Sequence, residues 1–230
     1  MTEFTLEELD QDGAIQEAMD GVGGDSRAGF LKKTAVVGGG LFGGGALLGL
    51  LAEPAMAATK RDVAIANFAL TLEYLEAEFY TEAVRMGALS GKTLNFARVV
   101  GAHERAHVAA LRKMLGRAAV AKPRFNFRGT TEDEAAFQRT AITLEDTGVA
   151  AYKGQAPRID TIAVLNAAIA IHTVEARHAS WIRHIAGVSP APAAFDQPKS
   201  MSQILAAVQG TRFLAAAPRV TTRKAPAFAG

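Results

Sequence analysis

Residues Ala69–Glu73 read ALTLE, and residues Ala141–Glu145 read AITLE. The two phrases stand 72 residues apart, each ends on a glutamate, and each is followed seven residues later by a tyrosine, Tyr80 and Tyr152. The repeat extends further. Residues Glu104–Gly116 (ERAHVAALRKMLG) and Glu175–Gly187 (EARHASWIRHIAG) share the pattern Glu-x-x-His-x-x-x-[Leu/Ile]-Arg-x-x-x-Gly. Glu73 precedes Glu104 by 31 residues and Glu145 precedes Glu175 by 30, so the chain writes one two-part unit twice.

The periodicity around these phrases is helical. From Lys60 to about Arg85 apolar residues recur at Ile65, Phe68, Leu72, Leu75 and Phe79, without proline. A second helix is expected from about Thr93 to Leu115, ending at Gly116. A third is expected to open at Thr131, with TEDE as a capping box (Thr131 as N-cap and Glu134 three residues on), and to end near Lys153. Asp160 is placed to cap a fourth helix running to about Ala186, stopped by Gly187 and Pro190. Short links join the first helix to the second and the third to the fourth, which predicts two antiparallel hairpins. The middle link of roughly 15 residues spans on the order of 50 Å when extended, enough to run the length of a bundle. Four helices with one long crossover between helices 2 and 3 form an all-α bundle of the ferritin-like kind.

The spacing of the repeated residues suggests chemistry. Positions i and i+3 lie about 60° apart on a helix, so the glutamate and histidine of Glu-x-x-His project to one side. Glu73, Glu104, His107, Glu145, Glu175 and His178 then enter one bundle from four helices. Four carboxylates and two imidazoles can hold two divalent ions. Iron or manganese suits such donors, and zinc is compatible. Without ions, so many carboxylates in a core would repel one another and lose their hydration. Glu76 lies about 60° from Glu73 and competes with it as ligand or outer partner. His103, one turn before His107, is an alternate ligand. Asp146 could orient a ligating histidine. Tyr80 and Tyr152 lie about 20° from their glutamates and could hydrogen-bond a ligand or donate an electron; core tyrosines are the plain alternative.

The phrases LEYLEAEFY, HERAH, LEDTGVAAY and VEARH resemble the ferritin-like superfamily, most closely its exported group that includes stress- and desiccation-related proteins. The likeness covers roughly Ala64–Gly187. It implies that Glu104 and Glu175 bridge two ions, that Glu73 and His107 complete one, and that Glu145 and His178 complete the other. It implies redox chemistry with oxygen or peroxide, either ferroxidase-like or peroxide-removing. The alternative is a stress-protective envelope protein with a structural metal or none.

The absence of cysteine excludes disulfides, thiolate metal sites and cysteine nucleophiles. Residues 1–57 carry nine acidic and three basic residues, and the remainder carries 14 acidic and 22 basic, a net of +8. Those basic residues are scattered and no basic arm adjoins the bundle, so nucleic acid is not expected as a partner. The segment 1–57 is read as an N-terminal extension and export signal. SRAGFLK (26–32) resembles the twin-arginine export motif, with Ala28 in place of the second arginine. An apolar, glycine-rich run and the small-residue site Ala55-Met56-Ala57 follow it. The mature chain is expected from about Ala58, in the periplasm, cell envelope or medium. Membrane contact is expected only through the export machinery or an uncleaved N-terminal anchor. Residues 58–190 are read as the bundle and 191–230 as a tail with a short helix near 201–208. Assembly into a homo-oligomer is left open.

Overall fold

The computed structural model describes residues 58–214; the expected export signal and the last residues lie outside the described part. Among the described residues the regular elements are helices: α1 Lys60–Met86, α2 Gly91–Leu115, α3 Glu134–Gln155, α4 Ile162–Ile185 and α5 Met201–Thr211, with 3-10 turns at Gly116–Ala118 and Ala156–Arg158. None of these helices is long and apolar enough to cross a membrane.

Local chemistry sets where the helices begin. Thr59 and Asp62 form a capping box at α1, each side chain accepting the other's backbone N–H. The third helix starts later than expected. Thr131 does not cap it; its hydroxyl donates to Glu82 Oε1 at 2.8 Å. Residues 128–133 turn first, and Asp133 caps α3 by accepting from the Ala136 N–H at 2.7 Å. Glu134 instead reaches the start of α2, accepting from the Ser90 N–H at 2.8 Å and the Thr93 hydroxyl at 2.9 Å. Asp160 likewise does not cap α4, whose N-cap is Thr161. It accepts from the Thr59 hydroxyl and Arg61 instead. In both places a carboxylate read as a local cap is drawn to a neighbouring helix.

Helices α1 and α2 pack as one hairpin and α3 and α4 as the other. Two apolar clusters give the relative directions. One contains Phe79, Phe96, Phe137 and Ile182; the other contains Leu70, Leu111, Tyr152 and Ile171. Along α1 and α4 the chain passes from the second cluster to the first; along α2 and α3 it passes from the first to the second. So α2 and α3 run parallel, and the crossover must carry the chain back along the bundle. The crossover also contributes to the core: Phe127 is 1% exposed and meets Phe79 and Phe213 edge-on. The tail after α4 follows the flank of α3. The Lys199 N–H donates to the Ala150 carbonyl at 3.1 Å, and Ile204 and Val208 of α5 are buried in the Phe79 cluster.

Between the two apolar clusters, at the same depth on all four helices, lies a polar layer. It contains Glu73 and Glu76 of α1, Glu104 and His107 of α2, Glu145 of α3, and Glu175 and His178 of α4, all buried.

Candidate metal centre

Glu73, Glu104, Glu145 and Glu175 are each 0% exposed, and carboxylates are almost never so enclosed without a partner. The two imidazoles accompany them. His107 Nδ1 lies 3.2 Å from Glu73 Oε2, 3.2 Å from Glu104 Oε2 and 3.1 Å from Glu175 Oε1. His178 Nδ1 lies 3.1 Å from Glu104 Oε1, 3.3 Å from Glu145 Oε2 and 3.6 Å from Glu175 Oε2. Glu104 and Glu175 therefore each give one oxygen to each histidine, whereas Glu73 faces only His107 and Glu145 only His178. Two sets of candidate donors result, one of Glu73, Glu104, His107 and Glu175, the other of Glu104, Glu145, Glu175 and His178.

The donor set fits divalent cations. Glu104 Oε1, Glu145 Oε2, both oxygens of Glu175 and His178 Nδ1 are buried without a hydrogen-bond partner. They crowd one another at contact distance yet are misaligned for hydrogen bonds. Buried orphan polar atoms are rare in folded proteins, and a bound ion is a standard reason for them. Nitrogen and carboxylate oxygen donors suit iron, manganese or zinc.

Charge is already partly balanced by protons. Burial pushes the Glu73 carboxyl up to about 8 against the opposing charge of His107. Burial and the neighbouring carboxylates raise Glu76. Burial also raises Glu145, despite the His178 imidazole beside it. Burial favours neutral imidazoles, but the Glu104, Glu145 and Glu175 carboxylates crowded around Nδ1 outweigh it and push His178 up to about 12. His107 moves the same way, with the Glu73 charge leading the opposition to burial. Burial alone would raise Glu104, but the two histidines hold it well below the usual range. Without ions, Glu104 stands as an anion between two imidazolium rings.

The remaining sequence candidates fall differently. Tyr80 of α1 donates its hydroxyl to Glu145 of α3. Tyr152 of α3 donates to Glu73 Oε1 of α1 at 2.5 Å. Each tyrosine serves the glutamate of the opposite hairpin. Glu76 is 3% exposed and lies in the carboxylate layer. His103 does not join the carboxylates: it is exposed, and its Nδ1 lies 2.9 Å from Nε2 of His178, on the ring edge away from them. Asp146 does not orient a histidine, because it pairs with Arg183.

Sequence reasoning missed Gly148. It stands 72 residues after Glu76, the offset that relates Glu73 to Glu145, so the repeat places it where the second half would carry its own extra glutamate. A Cβ there would lie 3.5 Å from both Glu76 Oε1 and Glu175 Oε2. The layer is thus asymmetric, with a fifth carboxylate from α1 lying against a bare backbone on α3. Extending the repeat by three residues would have flagged the pair.

The model of the ferritin-like domain matches residues 61–188, more than half of the chain. Among solved structures, a hypothetical protein from Methanococcus jannaschii superposes with a TM-score of 0.52 at 12% identity, covering 69% of this chain and 97% of that one. At that identity the likeness shows the fold alone. No curated protein matches the chain.

Proposed function

The chain belongs to the ferritin-like domain family, and on that premise we propose that it holds two divalent ions, iron or manganese, for redox chemistry with dioxygen or peroxide. The observation that carries this reading is the sharing of Glu104 and Glu175 between His107 and His178. Glu73 and His107 would complete one ion, and Glu145 and His178 the other. Two such ions, held by these side chains, would supply the electron-transfer chemistry that the side chains themselves lack. The chain's own part is to hold the ligands and keep the centre dry. Tyr80 and Tyr152 fix the outer oxygens of Glu145 and Glu73 by donating their hydroxyl hydrogen bonds. Ferroxidase-like oxidation of Fe(II) and peroxide removal are the two activities in view. We place the protein outside the cytoplasm, with residues 1–57 as its export signal and a mature chain from about Ala58.

The test is the metal content of the purified mature chain, with Glu104→Ala and His178→Ala beside it. Near-stoichiometric iron or manganese, lost in Glu104→Ala and reduced in His178→Ala, supports the reading. Iron oxidation and peroxide consumption by the loaded protein then separate the two activities. A properly folded chain that takes up no metal sinks the reading and leaves a stress-protective bundle without catalysis.

A further inference from the structure

On the Glu73–His107 side of the polar layer the four helices enclose a cavity of about 20 Å³. A single water needs about 10–15 Å³ by the same measure, so one small molecule fits. Its inner wall includes Leu72, Leu111 and Tyr152, and its rim carries the partly exposed Met114, Ile159 and Ala168. Leu72 directly precedes Glu73, and Leu111 stands one turn past His107. Tyr152 is the partition between cavity and centre, since it lines the cavity while its hydroxyl donates to Glu73.

The lining is almost wholly apolar. The Tyr152 proton is committed to Glu73. What remains is the amide of Gln155, 3% exposed, whose Nε2 has no hydrogen-bond partner. A buried water is held by two to four polar partners, and hydrogen peroxide needs both donors and acceptors. A single amide among aliphatic walls leaves a water short of partners and at least one O–H of a peroxide unmet. It fits an apolar diatomic that offers a weak acceptor to the otherwise unmet N–H.

We propose that this cavity binds dioxygen and lies on its path from solvent to the Glu73–His107 half of the centre. The purpose of the site rests on the redox reading above; the binding does not. Xenon tests it directly, because apolar cavities admit it and stay dry. Crystals of the chain grown without added metal and pressurised with xenon should show one xenon bounded by Leu111, Tyr152 and Gln155. Ala168→Leu, which plugs the rim, should abolish that peak while circular dichroism shows unchanged helix content. The wild-type map decides even if the variant does not crystallise. An empty cavity under xenon, or a water fixed on Gln155 in untreated crystals, overturns the proposal. Neither readout needs metal or turnover, so its failure leaves the redox reading standing, and the reverse also holds. In iron-loaded protein that oxidises Fe(II), Ala168→Leu should weaken the dependence of rate on dioxygen several-fold and leave peroxide-driven oxidation unchanged. An unchanged dioxygen dependence overturns the path.

Discussion

Tyr152 of α3 donates its hydroxyl to Glu73 of α1 at 2.5 Å, and Tyr80 of α1 does the same for Glu145 of α3. Each half of the repeat thus fixes a carboxylate of the other. The contacts lock the two hairpins in register at the depth of the polar layer. Burial and the neighbouring carboxylates raise both phenols well above their ordinary value, so the hydroxyls keep their protons and act as donors. Tyr152→Phe leaves Glu73 Oε1 enclosed without a donor. A stranded buried acceptor costs about 1–3 kcal/mol. Urea unfolding of the metal-free variant should show a loss in that range with the helix content kept. A loss near zero would mean that the bond contributes nothing to the fold.

The shared and unshared ligands predict different stoichiometries. Glu104 sends one oxygen to each histidine, whereas Glu73 reaches only His107. Glu104→Ala should therefore lose both ions, while Glu73→Ala should keep the ion held by Glu145 and His178. Elemental analysis after dialysis reads the difference directly. Stability should follow, because a ligand bound only to the folded state at 100 times its dissociation constant adds about 2.7 kcal/mol. Chelation should lower the melting temperature of the wild type, lower that of Glu73→Ala less, and leave Glu104→Ala unchanged. Equal ion loss in the two variants would contradict the sharing.

The bundle and its polar layer were legible because both depend on periodicity. Residues at i and i+3 on four helices can be counted, and a repeat of 72 residues aligns them without coordinates. What could not be read is what depends on nearness between distant segments. Asp160 and Glu134 look like local caps, yet each accepts from another helix. Asp146 looks aimed at a histidine, but α4 presents Arg183 to it. His103 shares a face with His107, but the bundle brings it to the outer edge of the His178 ring. Spacing alone also gave the tyrosines no partners, since the partners sit on the opposite hairpin.

Two helix-interior glycines should respond oppositely to a methyl group. Replacing glycine by alanine in a helix ordinarily gains about 1 kcal/mol. At Gly101 the new Cβ would stand 2.9 Å from Tyr80 Cβ, close to the α1 backbone. Gly101→Ala must push α1 and α2 apart, and overpacking of this kind costs about 1–3 kcal/mol. At Gly148 the new Cβ meets only side-chain atoms of Glu76 and Glu175, the nearest at 3.5 Å, which is ordinary contact. Gly148→Ala should be neutral or stabilising in the metal-free protein. Chemical denaturation of the pair checks the contrast, and the same sign at both positions would contradict the packing described.

Asp62 ties the two hairpins together at the far end of the bundle, and its titration should be visible in stability. It is closed off from solvent and accepts from the Thr59 N–H at 3.2 Å, the Asp160 N–H at 2.8 Å and the Thr161 hydroxyl at 2.5 Å. Burial works against its charge, but the hydrogen bonds outweigh burial and hold its pKa below the usual value. As pH falls, the unfolded chain therefore takes up this proton first, near pH 3.9. The stabilisation is complete above that value and is lost as pH falls on through the lower folded value. Asp62→Asn should cost about 1–2 kcal/mol at neutral pH, as the loss of a cap does. The gap between wild type and variant should then begin to narrow below about pH 4 and close once the pH has passed the lower folded value, where the native carboxyl is neutral too. Urea unfolding across that range measures it, and a gap that stays constant with pH would show that Asp62 acts through shape rather than charge.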